Sequence, residues 1–590
     1  MSAKSLDRLL SELEAARYRF GPVESGRILK LLRSLDVAHF ADPASLIRFH
    51  EALLFIRAFP QSPTVQRRTE RILSSFHKRV EALRKAGVDM DAFDTFEFSG
   101  IAGTTMEDTL SFDVARWLVR RMAGRVEIAW DNYEPGRELG NTGPRFMPLL
   151  EDDASVEADT PWPRWLEAAA GKKRATAAWL TERCERLTSP EHRSSDGRSS
   201  DSKKSAQLRA ELYDSLRVPL RWELGNSPVT RTRNWKPVRN VFYHDGPLIS
   251  RSQVSLAQEL AKRPPAFTRL SRRAGQAVTE QIREIMLVRY RELYGTTLAD
   301  PHSVVRADLG RGISIYLWNL PPERRLPLRA YVAGFTSKNG VPINYIEAIG
   351  LCEWMEVGFN TFYTFRGGEA GWIYAQVLRC LCHMMGATCI SVYPYQLGHD
   401  NDEAIESGAF WFYRKLGFRP GRADLRELVA REEKKIAADL TCGTGIPARP
   451  YRTSARTLKR LAAGHVFYEL PGSEVGAWDT FSTRNVGLRV NRQMAREFGG
   501  DAGRMREHSR RAVERILGVS TSSWTPLQKM AFENFALVLE QARDLQGWKT
   551  EEKEDLLKVI RAKARPDEML YLHLTQRHDR LRAALLKAGS

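Results

Sequence analysis

Between Ala330 and Pro420 the chain switches between two folding periods in a fixed order, and this stretch limits its architecture more than any other. Residues 330–365 read AYVAGFTSKNGVPINYIEAIGLCEWMEVGFNTFYTF, an apolar run rich in aromatic and β-branched residues that suits strands. A basic, glycine-rich turn, RGGEAG at 366–371, opens an amphipathic segment with helical spacing at Gly371. A second apolar run, Thr388–Tyr393, predicts another strand. Glu403–Leu416 predicts a helix that stops at Gly417, where a glycine can take the left-handed conformation of a helix end. The unit expected is strand, loop, helix, strand, helix.

Within 371–386 the polar residues Gln376, Arg379 and His383 fall on one narrow stripe, and the remaining positions are apolar or aromatic. Such a helix is expected to be buried around most of its circumference, with a rigid N-terminus. First-turn N–H groups have no acceptor inside the helix and the macrodipole is positive there, so a rigid start flanked by glycines suits an anion. An ordinary glycine-rich strand-to-helix turn has the same letters.

On these residues the stretch resembles the GNAT superfamily of acyl-CoA-dependent N-acyltransferases. In that family an Arg/Gln-x-x-Gly-x-Gly/Ala loop ends the fourth strand and holds the pyrophosphate of coenzyme A through its backbone N–H groups. Arg366, Gly367, Gly368, Glu369, Ala370 and Gly371 fall at that place. The family's late helix often reads Ala-x-x-Phe-Tyr-x-Lys-x-Gly-Phe, which Ala409, Phe412, Tyr413, Lys415, Gly417 and Phe418 match. The resemblance implies acetyl-CoA, or another acyl-CoA, as cosubstrate and an amine as acceptor. It makes Tyr413 the general acid that protonates the leaving thiolate, and a core aromatic is the plain alternative. For the base the family points to the strand before the loop, where Glu356 is the first choice and Glu353 the second, with Glu347 beside them. Desolvation of such a carboxylate would suit base work near pH 7. The family's middle glycine is Glu369 here, whose charge would repel a pyrophosphate unless it turns outward or pairs with Arg366. In the loop PYQLGHDNDEA, His399, Asp400, Asp402 and Glu403 either receive a cationic amine or cap the following helix.

The remainder of the chain reads mostly helical. Stripes such as Ile28, Leu31, Leu32 and Leu35 mark the first 90 residues, and Thr64–Ala86 predicts a helix burying Ile72, Phe76, Val80 and Leu83. Ser111 is expected to cap a helix over 111–123, and C-terminal helices are predicted at 424–438, 454–464, 488–498, 503–517, 525–543 and 550–564. Breakers and composition give an N-terminal helical region at 1–90, a mixed, mainly helical region at 91–190 and a flexible linker at 191–206. A helical lead-in at 207–309, the GNAT-like module at 310–422 and a C-terminal helical region at 423–590 complete the division. The fold class expected is α+β, a central GNAT-like mixed β-sheet module flanked by helices and embedded between N-terminal and C-terminal helical regions.

The formal net charge of +18 favours anionic partners, and nucleic acid enters on that charge alone. Six scattered cysteines fit a reducing cytoplasm, and no 18-residue apolar run predicts a membrane span. Cys380 and Cys382 would leave a helix on different sides, so Cys380, Cys382, His383 and Cys389 are not expected to hold zinc, and no metal is expected elsewhere. The function expected is transfer of an acetyl or other acyl group from coenzyme A to an amine. The alternative is a non-catalytic scaffold or ligand-sensing protein whose basic helical regions bind nucleic acid or protein.

Overall fold

The computed structural model describes residues 3–134, 137–142, 161–187, 203–441, 451–542 and 544–590. Most of the expected linker lies outside them; its last residues belong to the helix Lys203–Leu216. The chain divides into two compact units. The first comprises Met1–Pro247, Ala277–Thr297 and Lys338–Pro342, the second Leu248–Gln276, Leu298–Ser337 and Ile343–Ser590, so the expected lead-in at 207–309 is shared between them.

The first unit opens with helices Ala3–Ala16, Pro22–Asp36, Pro43–Ala58, Pro63–Ser74 and His77–Lys85. Three of them start on proline, whose fixed φ and missing N–H suit a first helical turn, and the Asp42 and Ser62 side chains accept from Ser45 and Val65 N–H. The single helix expected over 64–86 breaks at Ser75 because Ser74 and Ser75 bond back to the Arg71 and Ile72 carbonyls. Its predicted stripe nonetheless holds, with Ile72, Phe76, Val80 and Leu83 all buried. A small antiparallel sheet follows, β1 (Thr105–Thr109), β2 (Val126–Ile128) and β3 (Pro219–Glu223), with β3 in the middle. Leu118, Leu180, Tyr213, Leu220 and Trp222 form its core. Ser111 does not cap the helix Phe112–Arg121; its hydroxyl donates to Glu292.

The second unit is built on a mixed sheet. Its strands are β4 (Thr268–Arg269), β5 (Val305–Gly310), β6 (Ile313–Asn319), β7 (Ala330–Lys338) and, past the short β8 (Val341–Pro342), β9 (Asn344–Leu351) and β10 (Trp354–Thr361). After the helix Ala370–Met385 come β11 (Cys389–Val392), β12 (Arg419–Pro420) and β13 (Val466–Glu469). The order across the sheet is β12-β13-β11-β10-β9-β7-β6-β5-β4. β10 and β11 are parallel, joined by the helix Ala370–Met385, and β11, β13 and β12 are antiparallel neighbours. The sheet is thus wider than the expected module at 310–422, and β13 puts a strand into the region read as wholly helical.

The crossover helix is held as its apolar circumference predicts. Ile373, Val377, Leu378 and Leu381 are almost fully buried, each contributing about 2 kcal/mol of burial. It ends at Gly386, φ 64°, where Gln576 Nε2 donates to the Met385 and Cys352 carbonyls at 2.7 and 2.9 Å. Gln576 follows one of two C-terminal helices that the sequence reading left out, Glu568–Thr575 and Asp579–Gly589. Among the described residues no helix is long and apolar enough to cross a membrane, and no group of three or more His, Cys, Asp and Glu is arranged to hold a metal ion.

Candidate active site

β10 and β11 pair over three positions only, Trp354 with Cys389, Met355 with Ile390 and Glu356 with Ser391. Beyond Glu356 they part. β10 runs on to Thr361 against β9, whereas β11 ends at Val392 and the chain turns at Tyr393 into the short helix Pro394–Leu397. A wedge therefore opens between the carboxyl ends of two parallel strands, the position where open sheets with crossover helices receive ligands. Gln396 lies across it, 3.8 Å from where a Cβ on Gly358 would sit.

Strand alternation decides which side chains face which way. Met355, Val357 and Phe359 are buried on one face of β10, and Glu356, Gly358 and Asn360 are half-exposed on the other. On that second face Glu356 meets an imidazole. β13 pairs Val466 with Val392, so the preceding His465 arrives beside Tyr393 with ring centroids 5.3 Å apart. His465 Nε2 lies 3.0 Å from Glu356 Oε2, and Arg329 Nη1 lies 3.8 Å from Glu356 Oε1. Glu347 stands opposite Gly358 in register and accepts from the Tyr331 hydroxyl; burial pushes its carboxyl up, partly offset by that hydrogen bond. Two carboxylates thus occupy diagonal cross-strand positions roughly 7–8 Å apart on one face, one of them bonded to a histidine. Such a set can take a proton from an amine, through the imidazole or directly.

At the far end of β10, the loop expected to seat an anion follows a 3-10 turn at Tyr363–Phe365, and the helix starts at Ala370 with Glu369 at its N-cap. Glu369 neither turns outward nor pairs with Arg366. Its side chain is fully buried, accepts from the Ile249 N–H at 3.1 Å and forms an ion pair with Arg311. Its charge is therefore neutralised on the protein side of the loop. Arg366 instead pairs with Glu403. Gly371 is buried beneath Arg251, whose Cγ, Cβ and Cα would lie 3.1–3.4 Å from an added Cβ. The Arg366 and Gly368 N–H groups donate to the Tyr363 and Phe365 carbonyls, so the exposed Gly367 and the half-exposed Ala370 at the helix start are what remain for a phosphate, bordered by Arg251 and Lys415.

The helix expected over 403–416 is two helices, Asp402–Glu406 and Ala409–Arg414, because Gly408 between them takes φ 67°. Tyr413 is buried in an aromatic cluster, with Tyr374, Phe412 and Phe418 ring centroids at 5.6, 5.2 and 5.8 Å. Tyr374 lies 5.0 Å from Phe359. Tyr413 therefore belongs to the Phe359 face of β10 and Glu356 to the opposite one, with the wedge between. Burial pushes the Tyr413 phenol up, so it stays protonated at neutral pH.

Glu353 is committed elsewhere. It precedes β10 and accepts from Trp478 Nε1 and Arg582 Nε at 2.8 and 2.7 Å. At ~3.3 Å per residue it sits about 26 Å along the strand from Thr361, against about 17 Å for Glu356. The acids of the 399–403 loop are also paired, Asp402 with Lys459 and Glu403 with Arg366, and Asn401 caps the helix by accepting from Ala404 N–H. His465, Arg329 and Arg251 escaped the sequence reading, since each comes from outside 330–420; Tyr331 lies inside it but in a run that reads only as an apolar strand. The only available signal for His465 was the alternating HVFYE at 465–469. No protein-family model, curated protein or solved structure matches the chain.

Proposed function

We propose that the second unit is an acyl-CoA-dependent N-acyltransferase acting on an amine, in line with the GNAT-like motifs and the cytoplasmic setting that the free cysteines favour. The observation that carries this reading is the wedge at Glu356. It has a carboxylate–imidazole pair on one face, a buried phenol on the other, and a helix N-terminus at the end of the same strand. Coenzyme A would supply an acyl thioester at the end of an extended arm. That suits a catalytic group about 17 Å along β10 from the strand end that leads to the anion loop.

In this reading Gly367 and the helix start at Ala370, with Arg251 and Lys415, hold the pyrophosphate. His465, supported by Glu356, removes a proton from the ammonium acceptor. The freed nitrogen lone pair forms the C–N bond as the C–S bond breaks, Tyr413 gives its proton to the departing sulfur, and the second proton shed by the nitrogen restores the Tyr413 phenol, leaving a neutral amide with the first proton on His465. Glu347 and Glu356 favour a cationic acceptor. The test is thiol release from acetyl-CoA with a panel of amines: Glu356→Gln should lower turnover by about 10²-fold or more, as expected for loss of a general base. Equal turnover in the variant would overturn this role. Burial of Gly371 beneath Arg251 favours a second reading, a scaffold that binds no coenzyme A, for which the parent protein would release no thiol with any amine.

A further inference from the structure

The helix Thr483–Phe498 starts at the mouth of this wedge. Arg484 Nη2 donates to the Tyr393 hydroxyl at 2.7 Å and its guanidinium lies over the Tyr393 ring, and Tyr393 packs against His465. From there the helix carries Arg489, Arg492 and Arg496 at positions i, i+3 and i+7, on the face opposite its buried Val486 and Phe498. All three are exposed, and none has a carboxylate partner among the described residues. Glu497, the one acid of this helix, accepts from Gln493 on another face. From Arg489 to Arg496 the rise is about 10 Å, close to three phosphate-to-phosphate steps along one stacked nucleic-acid strand. The segment 483–518 holds nine arginines against four carboxylates, a local excess that a solvated helix face does not need.

We propose that this face binds the phosphate backbone of an RNA whose covalently attached amine enters the wedge. The RNA class follows from the chemistry of the amine. Exocyclic amines of nucleobases share their lone pair with the ring and are poor nucleophiles, whereas an aminoacyl ester on a terminal ribose carries an aliphatic amine, cationic at neutral pH. The entry of the amine rests on the acyltransferase reading, whereas the docking of the phosphates does not. The transfer would consume one acyl-CoA, forming an amide on the aminoacyl group and releasing free thiol; of the two protons the ammonium sheds, the first passes to His465 and the second replaces the one that Tyr413 gives to the thiolate.

The test is fluorescence anisotropy of labelled, deacylated transfer RNA with the full chain over a range of salt, without coenzyme A. The parent should bind, with log K falling linearly against log salt. Arg489→Ala/Arg492→Ala/Arg496→Ala should weaken binding at least about 10-fold and reduce the slope by about 2, near 0.7 per lost phosphate contact. The triple Arg→Lys variant should retain most of both, and Tyr413→Phe should change neither. Unchanged affinity and slope in the alanine variant, or a parent that does not bind RNA at low salt, would overturn the proposal. Because no step uses acetyl-CoA, failure to bind acetyl-CoA would leave this result readable and would remove only the acyltransferase reading.

Discussion

At Glu369 a carboxylate with no exposed surface is matched by Arg311 and by the Ile249 amide, so its replacement changes packing before it changes the anion site. Charge logic alone says that Glu369→Gly should tighten binding of a pyrophosphate. The contacts say otherwise: removing the acid strands a guanidinium that is only partly exposed and orphans a backbone donor, at a cost of about 2 kcal/mol or more. Thermal melting should show that loss, and a Glu369→Gly protein as stable as its parent would contradict it. Tyr413→Phe keeps the aromatic cluster and deletes one proton. Turnover should fall by about 10²-fold with little change in melting temperature, whereas unchanged turnover would remove Tyr413 from the chemistry. Both positions were legible as candidates because they stand in local motifs. Their surroundings were not, since Arg311, Ile249 and Tyr374 reach them from other elements, and a one-dimensional reading has no access to those contacts.

Among the elements, the strand β10 and the helix after it were the most legible, because a period of two gives way to a helical period across a single glycine-rich turn. β13 was not, because VFYE is four residues long and stands among helices, and with it His465 was missed. The division at Gly408 was hidden for another reason: the letters around it favour helix, and only a left-handed glycine inside the run breaks it. The wedge itself is a register property, three paired residues followed by divergence, which no local pattern encodes. It can be filled from within. Gly358→Leu should place its side chain beside Gln396 in the opening, lowering turnover at least about 10-fold while the melting temperature stays near the parent's, given that residue 358 is half-exposed. Full activity with leucine there would move the reaction away from the wedge.

For the whole molecule, hydrophobic periodicity and breakers anticipated a mainly helical chain around a sheet module, but not its division into two units assembled from interleaved segments. The first unit carries its own pH dependence. His50 is fully buried, 3.0 Å from Glu51 and 2.8 Å from the Thr232 hydroxyl, and burial lowers its pKa from 6.5 to about 4 against the opposing pull of Glu51. The unfolded chain therefore binds a proton that the folded chain refuses between those two values. Stability from this group is fully present above about pH 6.5 and falls by about 3 kcal/mol as the pH drops toward 4. Melting curves across that window should shift down with acid, and His50→Gln should flatten part of the shift; identical slopes in the two proteins would contradict the burial argument. Calorimetric titration of acetyl-CoA into the full chain is the direct test of the acyl-CoA site proposed at the end of β10. Saturable binding is expected, one molecule per chain, sharply weakened by Gly367→Glu in the exposed part of the loop. Absence of binding by the parent, or equal affinity in that variant, would contradict it.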